Sequence, residues 1–497
     1  MKKVNFLFPI YILIVLFSFS SCKDDENSTK TINVVSQFVY DGLSTYYLWA
    51  DEMISYKPAI SDSVPGTYFD KLLNATDKSH GWSFITDDVD GLMAEFSGTP
   101  KEFGFSLIFA YANDAKTEYY AVVKYVFPGS PASAAGIGRN TIISKVNGNA
   151  ITENNYMALY GTDPVTLTTL KFSGSTLITD KTVTLTPQTI TTNPVLYTNI
   201  YETGGKKIAY LFYTGFINNF NNSLYETFNN FKQAGVTDLV LDLRYNHGGA
   251  LTAATYLASL IAPRSAVVSN STFVKLSYNV NLNAFFDQNK YSRSDSLGLY
   301  SPLESNPLNA NLNLSKVYII ATDDSYSAAE LTTFCLKQFM TVVHIGSNTG
   351  GKYTASWTLH AYDENLGVPI YDVNKLSSND KTKLKNWAMQ PIVAKYANKN
   401  DQDFSNPGYL VPDYPLQEGF GYLSAWTPIG DTNDVLLGEA LYLITGDIKY
   451  KPVQKSAMKI LPAASVITAK FKNPREPQSE SVILDKKFTP AGLFKNP

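Results

Sequence analysis

The apolar positions of this chain change period along its length. Val35, Val39, Leu43, Tyr46, Tyr47 and Ala50 recur at spacings of three and four, so residues 32–97 read as a mainly helical unit. From Ile208-Ala209-Tyr210-Leu211 onward, short apolar runs take over: Leu239-Val240-Leu241-Asp242-Leu243, Val317-Tyr318-Ile319-Ile320 and Thr341-Val342-Val343-His344-Ile345. Unbroken runs of this length suit strands buried on both faces. Segments with helical spacing stand between them, at 224–234, 250–257 and 331–336. Strands alternating with helices predict an α/β core with parallel pairings over residues 190–470. Two stretches rich in Asn, Asp, Ser and Tyr, 270–313 and 361–415, interrupt the alternation and are expected to shape a channel over that core. The polar tail, 471–497, is assigned no role.

The candidate chemistry sits where these runs end. Ser327 lies in Asp323-Asp324-Ser325-Tyr326-Ser327-Ala328-Ala329-Glu330, between a strand-like run and a helix-like one. Lys352 closes Gly346-Ser347-Asn348-Thr349-Gly350-Gly351-Lys352, after the next strand-like run. A hydroxyl at a strand-to-helix corner and an amine on a glycine-rich turn supply a nucleophile and a base, provided the amine is desolvated enough to be neutral. The 25 residues separating them leave room for one helix and one strand, so both groups can meet at adjacent strand ends. Gly248 and Gly249, at the start of the 250–257 helix, leave backbone N–H groups open to an anion and suit an oxyanion hole.

Each of these residues also has a plainer reading. Ser327-x-x-Glu330 is the sequence of a helix capping box, and Ser325 is a competing hydroxyl. Lys352 is by default a solvated lysine. His247 is a rival base for Ser327, with Asp242 as its acid. The four histidines, His80, His247, His344 and His360, have no metal-ligand spacing, and Cys335 falls on the apolar face of its helix.

Taken together and in this order, the motifs resemble the C-terminal processing peptidases, a family of Ser-Lys proteases that carry a PDZ domain. Asp242-Leu243-Arg244-Tyr245-Asn246-His247-Gly248-Gly249 fits that family's Asp-Leu-Arg-x-Asn-x-Gly-Gly, Ser327-Ala328-Ala329-Glu330 its Ser-Ala-Ser-Glu with one change, and Thr349-Gly350-Gly351-Lys352 its Thr-x-Gly-Lys. The resemblance implies an N-terminal helical domain (32–97), a PDZ-like β domain (98–189) and a ClpP/crotonase-like α/β protease core (190–470). It casts Ser327 as nucleophile, Lys352 as base, Glu330 as a third member of the site, and Ala328 with Gly248 or Gly249 as oxyanion donors. Some members carry a glutamine four residues after the lysine, where this chain has Ser356. Phe103-Gly104-Phe105 resembles the PDZ loop that holds a peptide's terminal carboxylate. The implied activity is serine endopeptidase action on peptides or unfolded proteins, near C-termini, with no metal or organic cofactor. The alternative keeps the fold as a non-catalytic binding protein.

Composition narrows the setting. A net charge of −3 offers no basic stripe for nucleic acid, and two cysteines cannot make a disulfide framework. Lys2 and Lys3 precede an apolar run from Val4 to Phe19 that is short for a bilayer span. Ser20-Ser21-Cys22 then resembles a bacterial lipoprotein cleavage site. The expectation is a signal peptide over 1–21, a lipidated Cys22 opening a polar tether (22–31), and a membrane-anchored location in the cell envelope, at the outer membrane.

Overall fold

The computed structural model describes residues 31–173, 176–418, 426–452, 482–483 and 495. The expected signal peptide and Cys22 lie outside them. Helix α1 (Val34–Tyr46) opens the described chain, capped by Asn33, whose side chain accepts the Val35 N–H at 2.8 Å. It buries Val35, Val39, Leu43 and Tyr46 of the periodic set that predicts the helix, with Phe38 beside them. Shorter helices at Pro65–Leu72, Ala75–His80 and Val89–Ser97 complete this unit.

Five antiparallel strands follow: β1 (Phe105–Tyr111), β2 (Tyr119–Val126), β3 (Ile142–Val146), β4 (Val165–Ser173) and β5 (Thr176–Leu185), hydrogen-bonded in that order. They close on an apolar core of their own that includes Phe103, Phe109, Val123, Ile143 and Leu167.

The core proper is built from β6 (Val195–Thr203), β7 (Lys206–Tyr213), α2 (Asn221–Gln233), β8 (Asp238–Asp242), α3 (Leu251–Ile261), β9 (Thr272–Tyr278), β10 (Lys316–Ala321), α4 (Ala328–Leu336), β11 (Thr341–Gly346), β12 (Thr354–Ser356), β13 (Ala388–Gln390), β14 (Ile392–Asn398), β15 (Tyr414–Pro415), α5 (Val435–Thr445) and β16 (Val482–Ile483). Its central sheet has the order β6-β7-β8-β10-β11-β15, and every pair except β6–β7 is parallel. Leu239 and Leu241 of β8 pack into one core with α3, while Val240 packs into another with Leu436 and Leu441 of α5. Burial on both faces is why these strands read as unbroken apolar runs.

The two polar stretches carry elements of their own. Residues 270–313 supply β9 and the helix Val280–Gln288, and residues 361–415 supply β13, β14 and β15. A second six-stranded sheet runs Gly249–Ala250, β16, β12, β14, β9, Ser294–Ser296. Polar residues such as Lys275, Lys395 and Asn398 interrupt its apolar positions and hide its strands from a reading of periodicity. The tail also enters this sheet, through β16.

Candidate active site

Strands β10 and β11 run side by side, with Ile320 opposite Ile345 and Ala321 opposite Gly346, so the Ser327 and Lys352 loops leave the sheet together. Ser325, the rival hydroxyl, ties the first loop down: its Oγ accepts the Thr322 N–H at 2.8 Å and donates to the Leu243 carbonyl at 2.7 Å. Ser327 follows at φ 59°, ψ −112°, as the N-cap of α4. A serine held at positive φ is strained, and the surrounding contacts have to hold it there. Its Oγ is fully buried and has no hydrogen-bond partner among the described residues. A capping-box arrangement with Glu330 is present, but its hydroxyl half is too loose to count as a hydrogen bond.

Glu330 ties the two loops into one unit. Its Oε2 accepts the Ser327 N–H at 2.8 Å and the Lys352 N–H at 2.8 Å. Its Oε1 accepts the Gly351 N–H at 2.9 Å and the Thr349 hydroxyl. Burial pushes this carboxyl up to about 7 against the pull of those four donors. The hydroxyl of Tyr396 on β14 adds a second tie, donating to the Lys352 carbonyl at 2.7 Å and reaching the Ser327 carbonyl at 3.4 Å. The glycines of this turn are required by space and by backbone. A Cβ on Gly350 would stand 1.9 Å from the Tyr326 ring, and Gly351 has φ 91°.

Lys352 is fully buried, not solvated, and its Nζ lies 5.9 Å from the centre of the Trp82 ring. Lys352, Thr354 and Ser356 alternate onto one face of the extended chain, and all three are fully buried. Ser356 Oγ accepts a hydrogen bond from Gln390 Nε2 at 2.9 Å, while Gln390 Oε1 and Thr354 Oγ1 have no hydrogen-bond partner among the described residues.

The glycine turn abuts Ser327. A Cβ on Gly248 (φ 98°) would stand 2.7 Å from Ser327 Cβ and 3.0 Å from both Ser327 Oγ and the Ala328 nitrogen. Gly248 itself does not present its N–H as expected. That group donates to Asn246 Oδ1 at 2.8 Å, and Asn246 is anchored in turn through Nδ2 to the Tyr213 carbonyl. The expectation of Gly248 as a donor is therefore corrected: its carbonyl accepts the Phe216 N–H, and the remaining glycine candidate is Gly249.

The His247 alternative does not assemble. His247 Nε2 lies 2.9 Å from Asp324 Oδ1, while Asp242 is engaged with Arg244 and Tyr210. Burial alone would raise the Asp324 carboxyl, yet Lys124 and His247 hold it well below the usual carboxylate range. Cys335 is fully buried and burial pushes its thiol far up, as befits core. The PDZ-like loop lies elsewhere: Phe103 and Phe105 are buried and stacked at 5.7 Å, and a Cβ on Gly104 (φ 85°) would meet Ser130 at 2.1 Å. Those rings anchor the loop in the apolar core of the five-stranded unit.

Residues outside the three motifs also border the site. Trp82 comes from the N-terminal unit and is set by Asp77, which accepts the Ser83 N–H at 2.8 Å and its hydroxyl at 2.6 Å. Gln390 and Tyr396 come from the polar stretch 361–415. Each is a single residue on its own strand, with no local pattern to announce it.

Comparison with known proteins adds the following. The profile of Peptidase family S41 matches residues 207–415, and that of the Peptidase S41 N-terminal domain matches residues 35–84. A carboxyl-terminal-processing protease of Picosynechococcus sp. is 26% identical over 324 residues, covering 64% of this chain and 66% of the relative, just under two thirds of its length. A candidate S41 protease of Bacteroides fragilis, solved by crystallography, aligns with TM-score 0.64 and 26% identity over 82% of this chain and 97% of its own. The photosystem II D1 C-terminal processing protease aligns with TM-score 0.45 and 17% identity over 77% of this chain and 92% of its own.

Proposed function

The chain belongs to peptidase family S41, and from that premise we propose that it is a serine endopeptidase working through Ser327 and Lys352. The observation that carries this reading is the shared Glu330 Oε2, which accepts the N–H of both residues and so fixes the two loops against each other. Ser327 Oγ attacks the scissile carbonyl as its proton passes to the Lys352 amine. A lysine shut away from water holds a neutral amine more readily, which suits it to this role. The Ala328 N–H, first in α4, and the Gly249 N–H take the negative charge on the tetrahedral oxygen. The Lys352 ammonium then protonates the leaving amine, and water delivered through the same amine frees the acyl group from Ser327.

The substrates are peptides or unfolded proteins, cut near their C-termini, with the PDZ-like sheet holding the tail along β1, the strand at one edge of its order. Lipidation at Cys22 places the enzyme in the cell envelope, at the outer membrane. Cleavage of casein and of a C-terminally tagged protein tests the chemistry. Ser327→Ala and Lys352→Ala are expected to abolish turnover, and parental rates in both would refute the dyad. Retention of Cys22→Ser in the membrane fraction would refute the anchor.

A further inference from the structure

The described tail residues lie in an informative place. Strand β16 runs parallel to two neighbours at once: Val482 stands opposite Gly249 on one side and Ala355 on the other, and Ile483 opposite Ala250 and Ser356. One neighbour continues the glycine turn that presses against Ser327. The other is β12, which begins two residues after Lys352. Taken away, β16 would leave between the nucleophile's turn and the base's strand a gap of two strand spacings, about 9.5 Å, the width one extended peptide fills. The facing edges, Gly249–Ala250 and Ala355–Ser356, would each be left with backbone groups to satisfy.

We infer that this gap is the backbone-binding slot for substrate, taking an extended peptide as the middle strand of the second sheet, and that the chain's own residues 482–483 are its resident occupant. The inference rests on the peptidase reading above and adds to it how substrate is gripped and how the resting enzyme is held in check. Ladder hydrogen bonds recognise the main chain alone, so the slot accepts many sequences and leaves selection to other surfaces. A tail joined to the same chain competes as an intramolecular ligand, so an incoming peptide has to displace it. A strand that merely completed the sheet would instead be needed for the slot's shape.

Proline decides between the two, because it has no N–H to give to a ladder. The test compares the full-length parent with Val482→Pro/Ile483→Pro on a fluorogenic peptide. A slot predicts that KM falls by about tenfold with kcat held, since a competitor has been weakened. A synthetic peptide of residues 478–487, added in trans, should restore the parental KM and compete with substrate. Binding of that peptide to Ser327→Ala carrying the proline pair, read by fluorescence anisotropy, needs no turnover. Saturable binding that substrate displaces supports the slot even if the dyad assignment fails. An unchanged or raised KM together with no displaceable binding overturns it, and does so while leaving the dyad standing if the parent still cleaves and Ser327→Ala does not.

Discussion

Glu330 shows how much of the site one side chain arranges. As a carboxylate it accepts four hydrogen bonds, from Ser327, Gly351 and Lys352 N–H groups and the Thr349 hydroxyl. Protonation covers one of those oxygens while every neighbour is still a donor, so the loops lose their common anchor. With the carboxyl ionising near 7, turnover should decline as pH falls through about 7. Glu330→Gln, whose amide faces donors at every pH, should lose about tenfold to hundredfold in kcat and lack that limb. The sign for stability is opposite. The folded chain holds this proton more tightly than an unfolded one does, so the contribution of Glu330 is full below 4.5 and is lost as pH rises through about 7. Calorimetric scans across that range should slope downward in the parent and flatten in Glu330→Gln. Ser327, Lys352, Glu330 and the glycines were legible in the sequence because each stands in a short stretch of distinctive composition at the end of an apolar run. Gln390 and Tyr396 were not, because a residue that enters a site from a distant strand carries no local signature, and Trp82 reaches it from the irregular segment after the helix Ala75–His80.

At the scale of elements, the site is a matter of which turns abut. The Gly248–Gly249 turn is placed by β8 and closed by Asn246, and both glycines have positive φ, 98° and 132°. Gly248→Ala would set a methyl group against Ser327 and force an L-residue into a left-handed backbone. Such strain costs about 1–3 kcal/mol, and kcat should drop by at least about a hundredfold as the serine is displaced. Parental kcat in a well-folded Gly248→Ala chain would show that this turn does not position the nucleophile. The central sheet announced itself through runs buried on both faces. The second sheet did not: β9 and β14 carry Lys275, Lys395 and Asn398 among their apolar residues, so their period is diluted, and β16 is two residues long.

Over the whole molecule, the five-stranded antiparallel unit is wired to the loops of Ser327 and Gly248 through ion pairs. Lys124 on β2 meets Asp324 at 2.6 Å, three residues before Ser327, and Asp324 also meets His247, next to the glycine turn. Arg139, in the turn before β3, donates to the Lys124 carbonyl and the Tyr245 hydroxyl at 2.9 Å and pairs with Glu418, which also pairs with Arg244 of the core. Lys124→Met removes the charge and keeps much of the side chain's bulk. Cleavage of a tagged protein should then change by about tenfold in kcat, the size of an ordinary coupling between sites. An unaltered kcat would mean that this ion pair does not reach the chemistry. None of this wiring was readable from the chain, since each pair joins residues that are far apart in sequence.

The central claim is that Lys352 activates Ser327, and the rate of Ser327 phosphonylation by a fluorophosphonate, located by peptide mass spectrometry, tests it without assuming any substrate. The account predicts a single adduct on Ser327 in the parent and a rate at least about a hundredfold lower in Lys352→Met. An adduct on another residue, or one forming on Ser327 as fast without the amine as with it, would contradict it.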